Sequence, residues 1–517
     1  MEKTIAKLSK IFWIILLIFC GLQVITFQQL DVVVGCAVSL LTFYIFSKFI
    51  FTPKSLRQRP ISFIAISGVV MFTYFAPIMT YVEKHPITYN MISPISTFLW
   101  QLLYVLVTYL AYICTNRRYK HNPIRNSLIK IGFYNTVSNK SLWLLGLFGL
   151  FGRLYLLKNQ FGEEATSGAG TVYMLLIPFL MAPYCILFRP LYSKNKEPYR
   201  GSKIPFISYT LLLLIMGVAS NARNAIVTVL MSLLLMIIFY CINYRDDIMR
   251  KVLNISAKKI ILIFVSFLVF SGPISNFAIA MVAVRYMRSD IGAQELFIET
   301  FNLAMDSEKM SEVKKSLNKV EGNIDLSQKM LQNDWNESYV SNVFMNRVCN
   351  YQVADASIFH AYRAGIPCKS FIDDCIEHMK IIFPTPIVKM LFGDLDKEKL
   401  AYSPMDFLYS QSINAPVRQG YIVGGDVGLG LAFFGYLFPI FQLLIYILIF
   451  RYLDQIIAFD GKHAIIPILT LISIYDYFFI FFVGTGILAR FETFFWVIPV
   501  GIILKTMMMR VIQKLFG

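Results

Sequence analysis

Charge is scarce in this sequence. Only 15% of its 517 residues are Asp, Glu, Lys or Arg, against about 25% in an ordinary soluble domain. That excludes a soluble enzyme and a disordered chain. Histidine is rarer still, with five residues. No HExxH, no CxxC pair and no His cluster occurs, so no metal site is expected. A P-loop and a dinucleotide fingerprint are also missing; ATP-driven transport within the chain is not expected, and no cofactor is implied. The eight cysteines do not form a secreted disulfide framework. Cys20, Cys36, Cys114, Cys185 and Cys241 lie in or at the ends of apolar runs, where they pack as small hydrophobes. Cys349, Cys368 and Cys375 are odd in number, and a Cys368–Cys375 bridge stays open.

What is abundant is apolar surface. The apolar fraction is 57%, with 45 Phe and 29 Tyr, and mean hydropathy is +0.60. Apolar runs recur at 11–27, 31–51, 61–81, 93–114, 141–157, 171–188, 204–219, 224–243, 260–284, 427–450, 464–483 and 494–510. Each is near the ~20 residues needed to cross a ~30 Å hydrocarbon core. As one helix, 204–243 would measure ~60 Å, so it must turn, at Arg223 in SNARNA (220–225). The expected fold is an all-α polytopic membrane protein with about twelve transmembrane helices. Its parts are helices 1–9 (1–284), a large helical outer loop (285–426) and helices 10–12 (427–517).

Lys+Arg exceed Asp+Glu by 17, a surplus that suggests either nucleic acid or membrane topology. The positive-inside rule decides between them. With both termini inside, the inner segments hold 28 basic residues and six acids, whereas the five short outer connections hold four bases: Lys84, Lys158, Arg223 and Arg490. The surplus is therefore topological, and no nucleic acid is needed. The first apolar run is read as an uncleaved helix, because no small-residue cleavage site follows it.

Residues 285–426 contain 15 bases and 19 acids. Helix-like stretches at 293–317, 353–364 and 370–382 are punctuated by Gly365–Ile366–Pro367 and Pro384–Thr385–Pro386. A compact helical cap is expected, without repeats or a strand pattern.

The outer arginines are exceptions to the charge rule: Arg153, Arg223, Arg285, Arg288, Arg418 and Arg490. Arg is costly near hydrocarbon unless it is paired or faces a wet cavity, and its planar fork suits phosphate. Six arginines at one level could line an anion cavity; alternatively, several snorkel or pair with Glu163, Glu164, Glu492 or Asp426. His360, in DASIFHAYRAG (355–365) near Asp355 and Arg363, is a candidate base, with a packed histidine as the alternative. Asp476 is the one clear mid-span acid, too few for an ion relay. The stretch VRQGYIVGGDVGLGLAFFGYLFP (417–439) is rich in glycine, which permits close helix packing and non-helical backbone at a cavity rim. Its Gly424–Gly425–Asp426 turn lies next to Arg418.

Many spans, a late large outer loop, outer arginines and a Gly-rich re-entry ending in Phe434–Gly435 together resemble the bacterial O-antigen polymerases. These are the Wzy-type polymerases of oligosaccharide repeat units, related to the O-antigen ligases and GT-C-like in architecture. Family members often carry a Glu before the aromatic-Gly step; here Leu429, Gly430 and Leu431 stand there, and Asp426 is the nearest acid. The resemblance implies transfer of a growing glycan from undecaprenyl pyrophosphate to the non-reducing end of a new lipid-linked unit. It places the chain in a bacterial cytoplasmic membrane, with lipid-linked substrates, a flippase and a chain-length regulator as partners. It assigns Arg153, Arg223, Arg285, Arg288, Arg418 and Arg490 to pyrophosphate, and His360 or Asp426 to the base. Rival readings are a flippase, disfavoured by the absence of matching halves, and a ligase.

Overall fold

A computed structural model describes residues 2–115, 123–158, 175–193, 199–219, 223–244, 276–284 in part, 293–318, 339–340, 343–380, 385–393, 400, 402–417, 422–460, 463–481, 490 and 493–517. The fold is that of an all-α membrane protein. Five helical stretches are long and apolar enough to cross a membrane: Glu2–Phe27, Leu30–Ile50, Pro60–Val82, Pro94–Cys114 and Asp426–Gln455. The first four match the expected spans closely, and we label them α1, α2 (Leu30–Ile45, extended by a π-turn), α4 and α5, with α3 at Pro53–Gln58. Further along come α6 (Pro123–Lys130), α7 (Asn139–Lys158), α8 (Ile204–Ala219) and α9 (Arg223–Tyr244). Helices α8 and α9 form the hairpin expected around Arg223.

One end of the bundle is defined by a buried ion pair. Arg59, at the start of α4, donates to Asp454 (2.7 Å), to the Tyr112 carbonyl (2.6 Å) and to Thr115 Oγ1 (2.6 Å). Its guanidinium also lies 3.9 Å from the Tyr112 ring centre, and Ser62 donates to Asp454 at 2.6 Å. A buried charge is tolerated when its donors are met in this way. Lys54 and Arg57 lie on α3, just before this cluster, so we call this the basic end. At the far end, Gln23 of α1 donates toward Thr80 of α4 at 2.8 Å.

The described residues of the 285–426 segment include the helices α10 (Ala293–Met305), α11 (Ser307–Asn318), α12 (Val343–Cys349), α13 (Tyr351–Ala364), α14 (Lys369–Lys380), α15 (Thr385–Phe392) and α16 (Pro404–Ile413). The expected helix over 293–317 is broken at Asp306, whose carboxylate accepts from the Glu308 and Lys309 amides and starts α11. Helix α13 is wedged into the bundle, and its Asp355 accepts from the Ile92 and Ser93 amides and from Thr97 Oγ1, closing the amino end of α5. Tyr351 packs edge-on between Phe72 and Phe98. Cys368 and Cys375 are unbridged thiols.

The remaining expected spans depart from straight crossings. Over 171–188 the described residues form 3-10 segments, Ile177–Met181 and Pro183–Leu191. Pro178, Pro183 and Pro190 remove helix donors there. The expected span 260–284 lies mostly outside the described residues. The run 427–450 folds back on itself as α17 (Asp426–Phe434) and α18 (Phe438–Gln455), joined at Gly435 with φ +62°. As a continuous helix, residues 426 and 446 would stand ~30 Å apart; instead Tyr446 Oη is 3.4 Å from Asp426 Oδ2. The reversal needs the glycines. A Cβ on Gly430 would come within 2.1 Å of the Phe438 ring, and one on Gly428 within 2.3 Å of the Ser357 carbonyl carbon.

The following segment enters from the basic end. A hairpin of β1 (Ala458–Asp460) and β2 (His463–Ile465) leads to Ile466, whose amide donates to the Leu191 carbonyl at 2.9 Å. The expected span 464–483 is then two short helices, α19 (Ile468–Ile472) and α20 (Ile474–Phe479), broken at Ser473. They carry Phe481 to Tyr104, halfway along α5, where its carbonyl accepts from the hydroxyl at 3.0 Å. By Phe494 the chain is back beside Tyr452, ring centres 6.0 Å apart. Helix α21 (Ile498–Phe516), expected as the twelfth span, stays at the basic end: Pro499 faces Gln455 across a groove, and Gln513 accepts from the Ser138 amide at 2.7 Å.

Candidate functional site

Two folded-back segments meet midway along α5 and α18. The chain leading to α17 is held by Ser403, which donates to the Ile422 carbonyl (2.7 Å), and by Asp406, which accepts from the Ile422 amide (3.2 Å). Ser357 of α13 then accepts from the Gly425 amide at 2.6 Å. These contacts set Asp426 as the first residue of α17, where the helix dipole favours an anion.

Asp426 forms an ion pair with Arg490, with side chains 8% and 3% exposed. Tyr104 Oη lies 2.8 Å from Asp426 Oδ2 and 2.8 Å from Tyr446 Oη. The Arg490 guanidinium stands 5.7 Å from the Phe481 ring centre. Every described contact of the Asp426 carboxylate goes to Oδ2. Its Oδ1 is buried and has no hydrogen-bond partner among the described residues.

Tyr104 has three acceptors in reach (Asp426 Oδ2, Tyr446 Oη and the Phe481 carbonyl) and one proton to give. Tyr446 contributes one more. The cluster therefore holds more acceptor positions than hydroxyl protons, and Oδ1 remains unmet. A buried acceptor without a donor costs about 1–3 kcal/mol. An incoming hydroxyl would remove that cost.

The structure places the sequence candidates unequally. Arg490, expected at the outer end of a span, sits at mid-depth and pairs with Asp426, as the ion-pair alternative anticipated. Arg153 is buried on α7 and takes no part in the described contacts of Asp426. Arg223 opens α9, and its side chain lies outside the described residues, as do Arg285, Arg288 and Arg418. His360 is fully buried, and its Nδ1 is 2.7 Å from Ser412 Oγ. Arg363 Nε donates to the Ser412 carbonyl at 2.7 Å, so both side chains fasten α13 to α16. Burial, then the Arg363 charge, pushes the His360 imidazole down to about 3. The ring is enclosed between α13 and α16 in this structure. Asp355, expected near His360, turns instead to the start of α5. Lys505 of α21 is an opposing charge acting on Asp476.

Tyr104, Tyr446 and Ser357 were not singled out from sequence. Tyrosine is too common here, at 29 residues, for a hydroxyl within an apolar run to stand out. Set against known protein families, curated proteins and solved structures, the chain has no match.

Proposed function

We propose that the chain is a metal-independent glycosyltransferase that polymerises lipid-linked oligosaccharide repeat units on the outer face of a bacterial cytoplasmic membrane. One observation carries this reading: a buried carboxylate oxygen without a donor, on the same Asp426 whose other oxygen is held by Arg490. The acceptor sugar hydroxyl gives its proton to Asp426 Oδ1. Its oxygen bonds to the anomeric carbon of the growing glycan as the bond to undecaprenyl pyrophosphate breaks, and the electron pair leaves on the pyrophosphate. In this reading Arg490 offsets that developing charge, with Arg153, Arg223, Arg285, Arg288 and Arg418 the other candidates for the leaving group. His360 serves this reading by positioning α13, whose Ser357 holds Gly425 beside the base.

A second reading, a carrier of lipid-linked oligosaccharide, is favoured by a different observation. Segments broken at mid-depth and entering from opposite ends are how many carriers build their substrate sites. Purified protein in liposomes with lipid-linked repeat units separates the two. Transfer predicts a product ladder on a gel that Asp426→Asn abolishes. No ladder, with the lipid-linked units crossing the bilayer, would overturn the transferase and leave the carrier.

A further inference from the structure

We propose that the basic end carries a binding groove for an anionic phospholipid, independent of the Asp426 site and of the transferase reading. The groove lies where α6, the last turns of α18 and the start of α21 meet, and its volume is about 580 Å³. Leu128, Ile449, Phe494 and Ile502 are among its walls, Arg451 also lines it, and no acidic residue does so among the described residues. Apolar walls of this kind exclude a hydrated solute, whose polar groups would lose water without gaining partners. An acyl chain loses nothing by entering.

The position of the groove fits the rest of the lipid. It opens at the end of the bundle set by the Arg59–Asp454 pair. Helix α21 lies along that end with Leu504, Met507, Val511 and Leu515 between 40% and 67% exposed. A helix with a bare apolar face and basic neighbours is the pattern of one lying at a headgroup boundary. At that level a chain seated in the groove brings its phosphate to Arg451; Arg125 and Lys130 lie on α6 outside the lining. A lining cation, with no acid among the described lining residues, favours a net-negative headgroup over a zwitterionic one.

The test uses the full-length protein in mild detergent, incubated with equimolar phosphatidylglycerol and phosphatidylcholine of matched chains and analysed by native mass spectrometry. Phosphatidylglycerol should be retained preferentially. Arg451→Ala should lower its retention about fivefold. Ile503→Trp, at a lining position 46% exposed and so tolerant of a larger side chain, should fill the groove and remove the bound lipid. Equal retention of the two lipids by the unmodified protein would overturn the proposal without recourse to any variant. So would wild-type retention of phosphatidylglycerol by either variant.

Discussion

Removing either partner of the buried Asp426–Arg490 pair should destabilise the protein strongly. In Asp426→Ala the Arg490 guanidinium, whose side chain is 3% exposed, loses the carboxylate it pairs with. Breaking a buried pair in this way costs about 3–5 kcal/mol. In Arg490→Ala the carboxylate keeps the Tyr104 hydroxyl at 2.8 Å and the Tyr446 hydroxyl at 3.4 Å but loses its counter-charge, so the loss should again be about 3–5 kcal/mol. The double variant removes both charges, and its destabilisation should fall short of the summed singles by at least about 1.5 kcal/mol, within the usual range for contacting residues. Equilibrium unfolding in mixed micelles with graded denaturing detergent measures all three. Additivity to within about 0.5 kcal/mol would refute the buried pair. Transfer activity should be absent from the double variant even where its stability recovers, because the base is gone.

Two further outcomes follow from the geometry. Gly428→Ala sets a Cβ within 2.3 Å of the Ser357 backbone, which cannot yield as a side chain would, and should cost about 1–3 kcal/mol. Gly21→Ala, with nothing within 4 Å, should instead stabilise α1 by about 0.5–1 kcal/mol; equal effects at the two sites would mean that α13 and α17 do not cross so closely. The second concerns His378, whose Nδ1 lies 3.2 Å from Asp374 Oδ2 and whose Nε2 lies 3.0 Å from the Leu400 carbonyl. Burial works against protonation, but acceptors at both ring nitrogens outweigh it and raise the pKa. Its stabilising contribution is therefore complete below the unfolded value of about 6.5 and is lost as pH rises through the raised folded value. His378→Gln should flatten unfolding midpoints measured across that window; an unchanged pH dependence would show that this pair does not titrate.

Helices α1, α2, α4 and α5 were legible because an uninterrupted apolar run of the right length has one good solution in lipid. The same logic fails from Asp426 onward. Hydropathy cannot register a reversal at Gly435, because Leu431–Ala432–Phe433–Phe434 and Tyr436–Leu437–Phe438 on its two sides are equally apolar. Ser473 interrupts 464–483 no more visibly than the serines inside intact helices do. Charge bias placed Arg490 at a span end for a related reason: it assumes that connections lie at the surface, and a segment that enters and returns carries its charge inward. The pairing of Arg490 with Asp426 was open to sequence as one of four acids in prospect. Which acid it is depends on tertiary folding over 64 positions, beyond the reach of local pattern.

The order of synthesis gives that distance a further meaning. Asp426 emerges from the ribosome before the arginine that neutralises it, and α17 cannot settle at mid-depth with its charge uncovered. Final burial of α17 must therefore wait until Arg490 has left the exit tunnel, making this joint a late checkpoint in biogenesis. A nascent chain arrested just short of Arg490 should leave Asp426 open to a water-soluble carboxyl reagent that no longer reaches it in the finished protein.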